Sequence, residues 1–431
     1  MLLGITVLAS CLNNNQVITD PSTDAQLYGL TATAAYDSTR TLTNAKFSID
    51  QLLSQVYNRD SLNFGFEPKN ALLAVSVKSA SGVKLYLQNP DSNYFWKQED
   101  SVNIARLKYI EVYAQDEKTT KKYEFKLNIH QVDPYILVWD QRSTNYIPAL
   151  SLDQKTVFYN NQFLTYYQTT TGIKAAASTD GETNTALAVT GLPSTGLQMK
   201  TVVSTNTGVY AMDAVGKIYK TTDGGAWSTV TSPYPVKAIY GTLPSPTTDS
   251  ILTVVNDAGT LKFAKTKDLT AFRVLSPAPS DVPVAEFSAA GIKDPRVYSA
   301  KYIVISGGKT AADALNNKIW IIQEKGSAIA IYNQPVTILT QGSTLFPYDD
   351  KLYMLTSTDK KANILYISQN YGLNWKAADA NQALPADFAY RTYAPVITDA
   401  NNYIRIFGGT SGTQTQLTDV WRGRLNKLAT N

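Results

Sequence analysis

The apolar segment Leu352-Tyr353-Met354-Leu355 decides the fold, because segments of the same kind recur along the last 297 residues of the chain. Each runs into a turn and then into a second apolar-aromatic strand. Successive segments begin 46, 43, 50, 50 and 51 residues apart. Six units of this length, each a small antiparallel sheet, predict a six-bladed β-propeller. The other segments are Phe163-Leu164-Thr165-Tyr166-Tyr167, Val209-Tyr210-Ala211-Met212, Leu252-Thr253-Val254-Val255, Tyr302-Ile303-Val304-Ile305 and Tyr403-Ile404-Arg405-Ile406.

The last repeat is too short to form a complete blade. Its final apolar segment, residues 420–425, is followed by too little chain for a fourth strand. We therefore expect residues 135–139 to supply that strand, which joins both ends of the region in one sheet. Such closure removes free sheet edges. The propeller is predicted to span residues 135–431.

Residues 25–133 alternate between apolar and polar side chains over short runs. A period of two is typical of strands with one buried face, and several such runs favour an Ig-like antiparallel β-sandwich. Pro134 marks the boundary, since proline does not continue a central strand. The predicted fold class is therefore all-β, a sandwich followed by a propeller. The alternating runs lie at 72–77, 83–87, 109–113 and 123–129.

Two stretches of the sandwich segment are ambiguous. In residues 49–57, apolar positions 49, 52, 53 and 56 favour a helical turn over a strand. Tyr94-Phe95-Trp96 places three aromatic residues in a row, of which a strand buries only alternate members on one face. At least one ring should be exposed or meet the propeller. The run is either a ligand platform or, as we favour, a plug between the domains.

The composition excludes most metal and nucleophile chemistry. The chain has one His, His130, and one Cys, Cys11. Zinc, haem and copper sites, a Ser-His-Asp triad and a Cys-His pair each need more of these residues. The net charge of +4 over 431 residues is too small for a nucleic-acid binder. We expect no metal, no cofactor and no nucleic-acid partner.

The N-terminus predicts export. Residues 1–10 form an uncharged apolar run that ends in small residues, as in a signal peptide, and residues 12–24 form a polar tether. Leu8-Ala9-Ser10-Cys11 resembles a bacterial lipobox, which implies that Cys11 is lipidated and is the only attachment to a membrane. The first acidic residue after Cys11 is Asp20, which favours the periplasmic face of the outer membrane over the cell surface.

Two kinds of turn mark the repeats. Four turns place a hydroxyl two residues before Asp180, Asp223, Asp268 or Asn370, and these turns resemble the Asp-boxes of sialidase-type propellers. Each offers one such side chain, too few for calcium, so we interpret them as turn-bonding residues. Two other repeats pair Gly-Gly with a tryptophan twelve residues on, and they resemble Kelch repeats. The whole layout resembles exported lipoproteins of the Bacteroidales type, a resemblance that implies architecture but no activity.

Both resemblances raise enzymatic alternatives. The sialidase type implies an arginine cluster, a Tyr activated by Glu and an acidic proton donor. Of the propeller's three glutamates, Glu182 and Glu324 are predicted on the blade rim, which leaves Glu286. Glu286 with Tyr298 and Arg296 is the only acceptable nucleus for a glycoside hydrolase or lyase. The Kelch type includes galactose oxidase, whose His and Cys ligands this propeller lacks.

A non-enzymatic binding or scaffold role is the favoured hypothesis, with a glycan or a protein held at one end of the propeller. Aromatic and arginine side chains near the predicted inner strands suit such a ligand, although each aromatic residue is alternatively packed between blades. A purely structural envelope role is the remaining alternative. The candidate ligand-binding residues are Tyr240, Arg296, Tyr298, Phe346, Tyr348, Arg391 and Tyr393.

Overall fold

A computed structural model describes residues 20–88, 92–98, 100–148, 151–244, 250–293, 301–325, 328–359 and 361–429. The chain divides into two compact units, Met1–Pro134 and Tyr135–Asn431. Both units are built from β-strands, and the only helices in the described ranges are single 3₁₀ turns. None of those helices has the length and apolar character needed to cross a membrane.

The first unit is a sandwich of two sheets. One sheet has three strands in the order β1-β4-β7, and the other has six in the order β2-β3-β9-β8-β5-β6, with β3 and β9 parallel. Leu85, Ile110, Val112 and Tyr123 are fully buried between them. Each of the four alternating runs contains a strand, although the last run, 123–129, is extended only as far as Lys126. The bounds are β1 Leu27–Thr33, β2 Phe47–Asp50, β3 Gln55–Asn58, β4 Asn70–Val77, β5 Ala80–Leu87, β6 Tyr94–Phe95, β7 Ser101–Asn103, β8 Leu107–Ala114 and β9 Thr120–Lys126.

The predicted helical turn at residues 49–57 is wrong, because this stretch is the hairpin of β2 and β3. Asp50 Oδ1 accepts the backbone N–H groups of Leu52 and Leu53, and Ser54 has a positive φ of 52°. A carboxylate that binds the amides two and three residues on stabilises a turn instead of a helix. In β6 the expected alternation holds, since Phe95 is 56% exposed while Tyr94 packs against the core.

The second unit is a propeller of six sheets, and in the first five the four strands of a sheet lie side by side in chain order. Five of the aligned apolar segments lie in the second strand of a blade, and the sixth begins one residue before the corresponding strand of the last blade, so the predicted blade count is confirmed. The bounds of the first five blades are β11 Asp153–Tyr159, β12 Gln162–Thr169, β13 Gly172–Ser178 and β14 Thr185–Leu187; β15 Val203–Thr205, β16 Gly208–Met212, β17 Ile218–Thr221 and β18 Ser228–Val230; β19 Val236–Leu243, β20 Ser250–Asp257, β21 Thr260–Thr266 and β22 Phe272–Pro277; β23 Ala285–Lys293, β24 Lys301–Lys309, β25 Lys318–Lys325 and β26 Ala328–Pro335; β27 Thr344–Tyr348, β28 Lys351–Ser357, β29 Asn363–Ser368 and β30 Lys376–Ala377.

The sixth blade closes the ring. Its inner strands β31 (Arg391–Thr392) and β32 (Val396–Thr398) pair with β33 (Ile404–Ser411), which pairs with β34 (Gln416–Leu425). The outermost strand is β10 (Leu137–Ser143), from the start of the unit, with Leu137 opposite Leu425. The predicted closure is confirmed, although the strand begins two residues later than expected. The free edge of the last blade is thereby covered.

A group of ion pairs, here called the closure cluster, ties this blade to the first one. It consists of Asp140, Arg142, Glu182, Arg405 and Arg422. Glu182 accepts hydrogen bonds from all three arginines, at 2.6 Å from Arg142, 3.3 Å from Arg405 and 2.8 Å from Arg422. Arg422 also pairs with Asp140 at 2.9 Å. The predicted rim position of Glu182 thus corresponds to a structural role.

The four polar turns share one hydrogen-bond pattern. In the second blade, Thr221 Oγ1 accepts the N–H of Gly224, and Asp223 Oδ1 accepts the N–H groups of Gly225 and Ala226. Trp227, at the end of this turn, is buried in the inter-blade core. The turn side chains are therefore used to bind turn amides, as their spacing predicts. The same hydroxyl-to-amide bond is made by Ser178, Thr266 and Ser368.

Candidate functional site at the axial end of the propeller

Polar side chains from five blades converge at the end of the propeller axis where the innermost strands begin. Glu286 belongs to the fourth blade and Tyr393 to the sixth, and these blades are not neighbours. Their side chains nevertheless meet, with Tyr393 Oη donating to Glu286 Oε2 at 3.1 Å. Side chains of non-adjacent blades can touch only near the axis. The group, here called the axial cluster, consists of Asp153, Lys155, Lys200, Glu286, Gln341 and Tyr393.

Glu286 and Tyr393 owe their positions to the two Gly-Gly pairs. A side chain on Gly308 would meet Ala285 and Phe287, which flank Glu286, and one on Gly409 would meet Thr392 and Ala394, which flank Tyr393. Both side chains leave a backbone with φ of 54°, a strained region for residues other than glycine. A Cβ on Gly308 would lie 2.6 Å from the carbonyl oxygen of Ala285. The absence of a Cβ at Gly308 and Gly409 therefore leaves room for two similar backbone kinks. These kinks direct the side chains of Glu286 and Tyr393 toward each other.

Gln341, just before β27, completes a hydrogen-bonded trio with these two residues. Its Nε2 donates to Tyr393 Oη at 2.6 Å and lies 3.4 Å from Glu286 Oε2. Burial and the negative charge of Glu286 raise the pKa of Tyr393 to about 12. Glu286 Oε1 also pairs with Lys309 at 3.3 Å. Tyr393 is therefore held as a neutral phenol whose proton points at a carboxylate.

Two further lysines and an aspartate complete the axial cluster. Lys200 lies on the 3₁₀ turn Met199–Thr201, which packs against β11 and β23, and its Nζ is 3.7 Å from the centre of the Tyr393 ring. Asp153 and Lys155 stand at the start of β11. Burial raises the pKa of Asp153 and lowers the pKa of Lys155. The axial end thus combines cations, carboxylates, an amide and a phenol in a partly desolvated position.

Most of the predicted ligand-binding residues lie elsewhere. Tyr240, Phe346 and Tyr348 are at most 3% exposed and pack in the cores between blades. Tyr240 Oη donates to the carbonyl of Pro283, and Tyr348 Oη donates to that of Asn402. For these three the alternative interpretation, packing between blades, fits the structure, because no surface of the ring is open to a ligand.

Arg391 is also buried. Its two Nη atoms donate to the carboxylate of Asp419 at 2.7 and 2.8 Å, and its guanidinium lies over Phe388. This pairing supports the sixth blade and uses the donors that a ligand would need. Of the five predicted residues that the structure describes, Tyr393 alone lies in the axial cluster. Arg296, Tyr298 and the lipobox residue Cys11 lie outside the described residues.

The axial cluster also contains residues that sequence reasoning missed. Asp153, Lys155, Lys200 and Gln341 come from the starts of three repeats and carry no motif. Only their position in the repeat could have identified these residues. Each of the four residues stands at or just before the first strand of a repeat, and these are the positions that lie near the axis of a propeller. Within the described residues there is no group of three or more His, Cys, Asp or Glu that would hold a metal ion.

The family model described as the DUF6242 beta propeller domain matches residues 133–431, and that of the DUF6242 N-terminal domain matches residues 18–127. The chain belongs to the DUF6242 family. Both units of this DUF6242 protein are therefore covered by their own family domain. No protein with a curated description matches its sequence.

Solved propeller structures resemble this DUF6242 protein only distantly. YjhT has 11% identity and a TM-score of 0.44, over 64% of this chain and 95% of YjhT. A lectin of Aleuria aurantia, in complex with alpha-methyl-L-fucoside, has 10% identity and a TM-score of 0.40, over 65% and 93%. The NanB sialidase of Streptococcus pneumoniae has 10% identity and a TM-score of 0.42, over 94% of each chain. These likenesses carry no argument about ligand or activity.

Proposed function

We propose that this DUF6242 protein is a non-enzymatic binding protein of a bacterial envelope, which holds a glycan or a protein segment at the axial end of its propeller. The observation that supports this function is the convergence of axial-cluster residues from five blades. Evenly spaced turns and buried aromatics explain how blades stack, but they do not require charged groups on the axis. The lipid anchor at Cys11 and the periplasmic face of the outer membrane are part of the same proposal, and they rest on the N-terminal sequence.

The electrostatics of the axial cluster favour binding over hydrolysis. A tyrosine nucleophile needs a lowered pKa or a base that removes its proton. Here the pKa of Tyr393 is raised to about 12, and Glu286 is already paired with Lys309. Two arginines of the described residues are also occupied by carboxylates of the protein, since Arg391 binds Asp419 and Arg422 binds Asp140 and Glu182.

Binding and turnover should be measured in the same samples of the full chain, against a panel of glycans and extracts of envelope proteins. We expect saturable binding without product formation, and weaker binding by the Glu286→Gln variant. Lys174→Gln, on the exposed side of the first blade, is the matched control and should bind as the wild type does. Product release that Glu286→Gln abolishes would establish a hydrolase instead. Neither binding nor turnover would leave a structural role.

A further inference from the structure

Two lysines of the axial cluster lack a carboxylate partner. In the part of the chain that the structure describes, no Asp or Glu oxygen lies within 4.0 Å of Lys155 Nζ or Lys200 Nζ. Lys155 is half-buried, and its neighbour Asp153 is too far away for an ion pair. Lys309 differs, since it pairs with Glu286 and Asp313. The ammonium groups of Lys155 and Lys200 are therefore not in contact with a carboxylate, although Asp153 acts on both from a longer distance.

This arrangement costs free energy in the absence of an anion. Burial lowers the pKa of Lys155, Asp153 offsets part of that effect, and the charge of Lys200 adds to the lowering. Desolvated ammonium groups beside one another are unfavourable unless a negative charge enters. Groups whose pKa is shifted by burial together with specific charged neighbours are typical of binding sites.

A second observation at the same place shows a missing hydrogen-bond donor. Gln341 Oε1 is buried and accepts no hydrogen bond from the described residues, while Nε2 of the same amide is engaged with Tyr393. Buried acceptors are normally satisfied. A hydroxyl group of a ligand would supply the donor that this oxygen lacks.

The carboxylates of Glu286 and Asp153 restrict the choice of anion. They stand beside the lysines, and they would repel a phosphate group or a run of acidic residues in a peptide. A ligand with one carboxylate and several hydroxyl donors on the same ring would offer a partner to each of these groups, its carboxylate to the lysines and its hydroxyls to Gln341, Glu286 and Asp153.

We propose that the axial cluster binds an acidic oligosaccharide, with Lys155 and Lys200 holding the carboxylate of one sugar and Gln341 Oε1 accepting a hydroxyl of the same sugar. This inference rests on the proposed binding function and names its ligand class. A neutral glycan would leave the two lysines without a partner.

The test compares sugars that differ only in charge. Oligogalacturonate and sialyllactose are each measured against their methyl esters, which keep the ring and its hydroxyls but lose the negative charge. With the full chain, we expect at least one acid to bind about 10- to 100-fold more tightly than its ester, as for a charge-assisted contact. Lys155→Met and Lys200→Gln should each reduce affinity for that acid about 10-fold or more and leave the ester unaffected. Lys174→Gln should change neither.

The outcomes separate this inference from the proposed function. Equal affinity for acid and ester, or tight binding of neutral glycans that the lysine variants do not weaken, overturns the acidic-sugar assignment and leaves a glycan-binding protein. Binding of an envelope protein in place of every sugar also overturns it. If no glycan and no protein binds, both the assignment and the proposed function fail. Circular dichroism of each variant verifies the fold.

Discussion

The propeller contains two groups of cations and carboxylates that differ in how completely they are paired. In the closure cluster, each of the three arginines is bonded to at least one carboxylate, and Glu182 accepts from all of them. In the axial cluster, Lys155 and Lys200 have no such partner among the described residues, and Gln341 Oε1 is unsatisfied. The first group is complete without a ligand, and the second is not.

The chemistry of the cations matches this division. A planar guanidinium binds carboxylates through two or more directed donors and suits a permanent tie. An ammonium is a compact charge on a flexible stem, which can exchange partners. Arginine at the seam of the ring therefore stabilises the fold, whereas lysine at the axis keeps charge available for a ligand. This comparison predicts opposite effects on stability when each group is neutralised.

The largest effect is expected in the closing blade, for Arg391→Leu. The Arg391 side chain is fully buried, and its removal leaves the largely buried carboxylate of Asp419 without its cationic partner, with the indole N–H of Trp421 still donating to it. Breaking a buried pair on one side costs about 3–5 kcal/mol, and we expect a loss of this size in the free energy of unfolding by urea. Lys376→Ala, which breaks the exposed pair with Asp379, should leave stability unchanged. If Arg391→Leu lowers the free energy of unfolding no more than Lys376→Ala does, the pair of Arg391 and Asp419 does not stabilise the fold.

A smaller loss is expected for Glu182→Gln in the closure cluster. Burial alone would raise the pKa of Glu182, but the three arginines outweigh it and hold the pKa below its usual value. The variant should lose about 1–3 kcal/mol at pH 7, because three cations lose their shared anion. Urea unfolding of both proteins as a function of pH checks this.

The pH dependence of that loss has a definite sign. Because the folded pKa of Glu182 lies below the unfolded one, its contribution is complete above about pH 4.3 and disappears as the pH falls through the folded pKa. Wild type and Glu182→Gln should therefore converge in acid. Glu117→Gln, at an exposed carboxylate, is the control and should follow the wild type throughout. A gap that persists in acid would contradict the charge-based explanation.

The fold could be read from the sequence because its determinants are local. Each blade repeats an apolar strand and a turn, so the number of blades follows from spacing alone. The hairpin at residues 47–58 could not be read in this way, since the apolar spacing of residues 49–56 favours a helical turn. The choice depends on Asp50, whose carboxylate binds the amides of Leu52 and Leu53 and starts a turn.

The axial cluster was only partly predictable, because its contacts are long-range. Glu286 and Tyr393 are 107 residues apart, and only closure of the ring brings them to 3.1 Å. Both were singled out from the sequence, but with different neighbours, since Glu286 was grouped with Arg296 and Tyr298. Lys155 and Lys200 belong to no motif, and their importance comes from the lack of a partner in the folded structure. A single sequence does not record which cations remain unpaired.

The third prediction is a change of opposite sign, at the axial cluster. Burial lowers the pKa of Lys155. Asp153 raises it and Lys200 lowers it further, and the net effect is a lowered pKa. The folded state therefore disfavours the ammonium form of this side chain. Lys155→Met removes this cost while keeping the apolar stem. We expect it to raise the free energy of unfolding by about 0.5–2 kcal/mol at pH 7, as replacement of a strained binding residue often does.

The pH profile distinguishes this cause from better packing. A lysine whose folded pKa lies below its unfolded value binds fewer protons in the native state, so wild-type stability should rise as pH increases from the folded pKa toward about 10.4. Lys155→Met should lack that rise, whereas Lys174→Met, at an exposed lysine of the same blade, should retain it. A stabilised variant that keeps the rise would assign the gain to packing. If Lys155→Met is instead less stable than the wild type, Lys155 stabilises the fold, as the arginines of the closure cluster do. The axial cluster would then not differ from the closure cluster in its effect on stability.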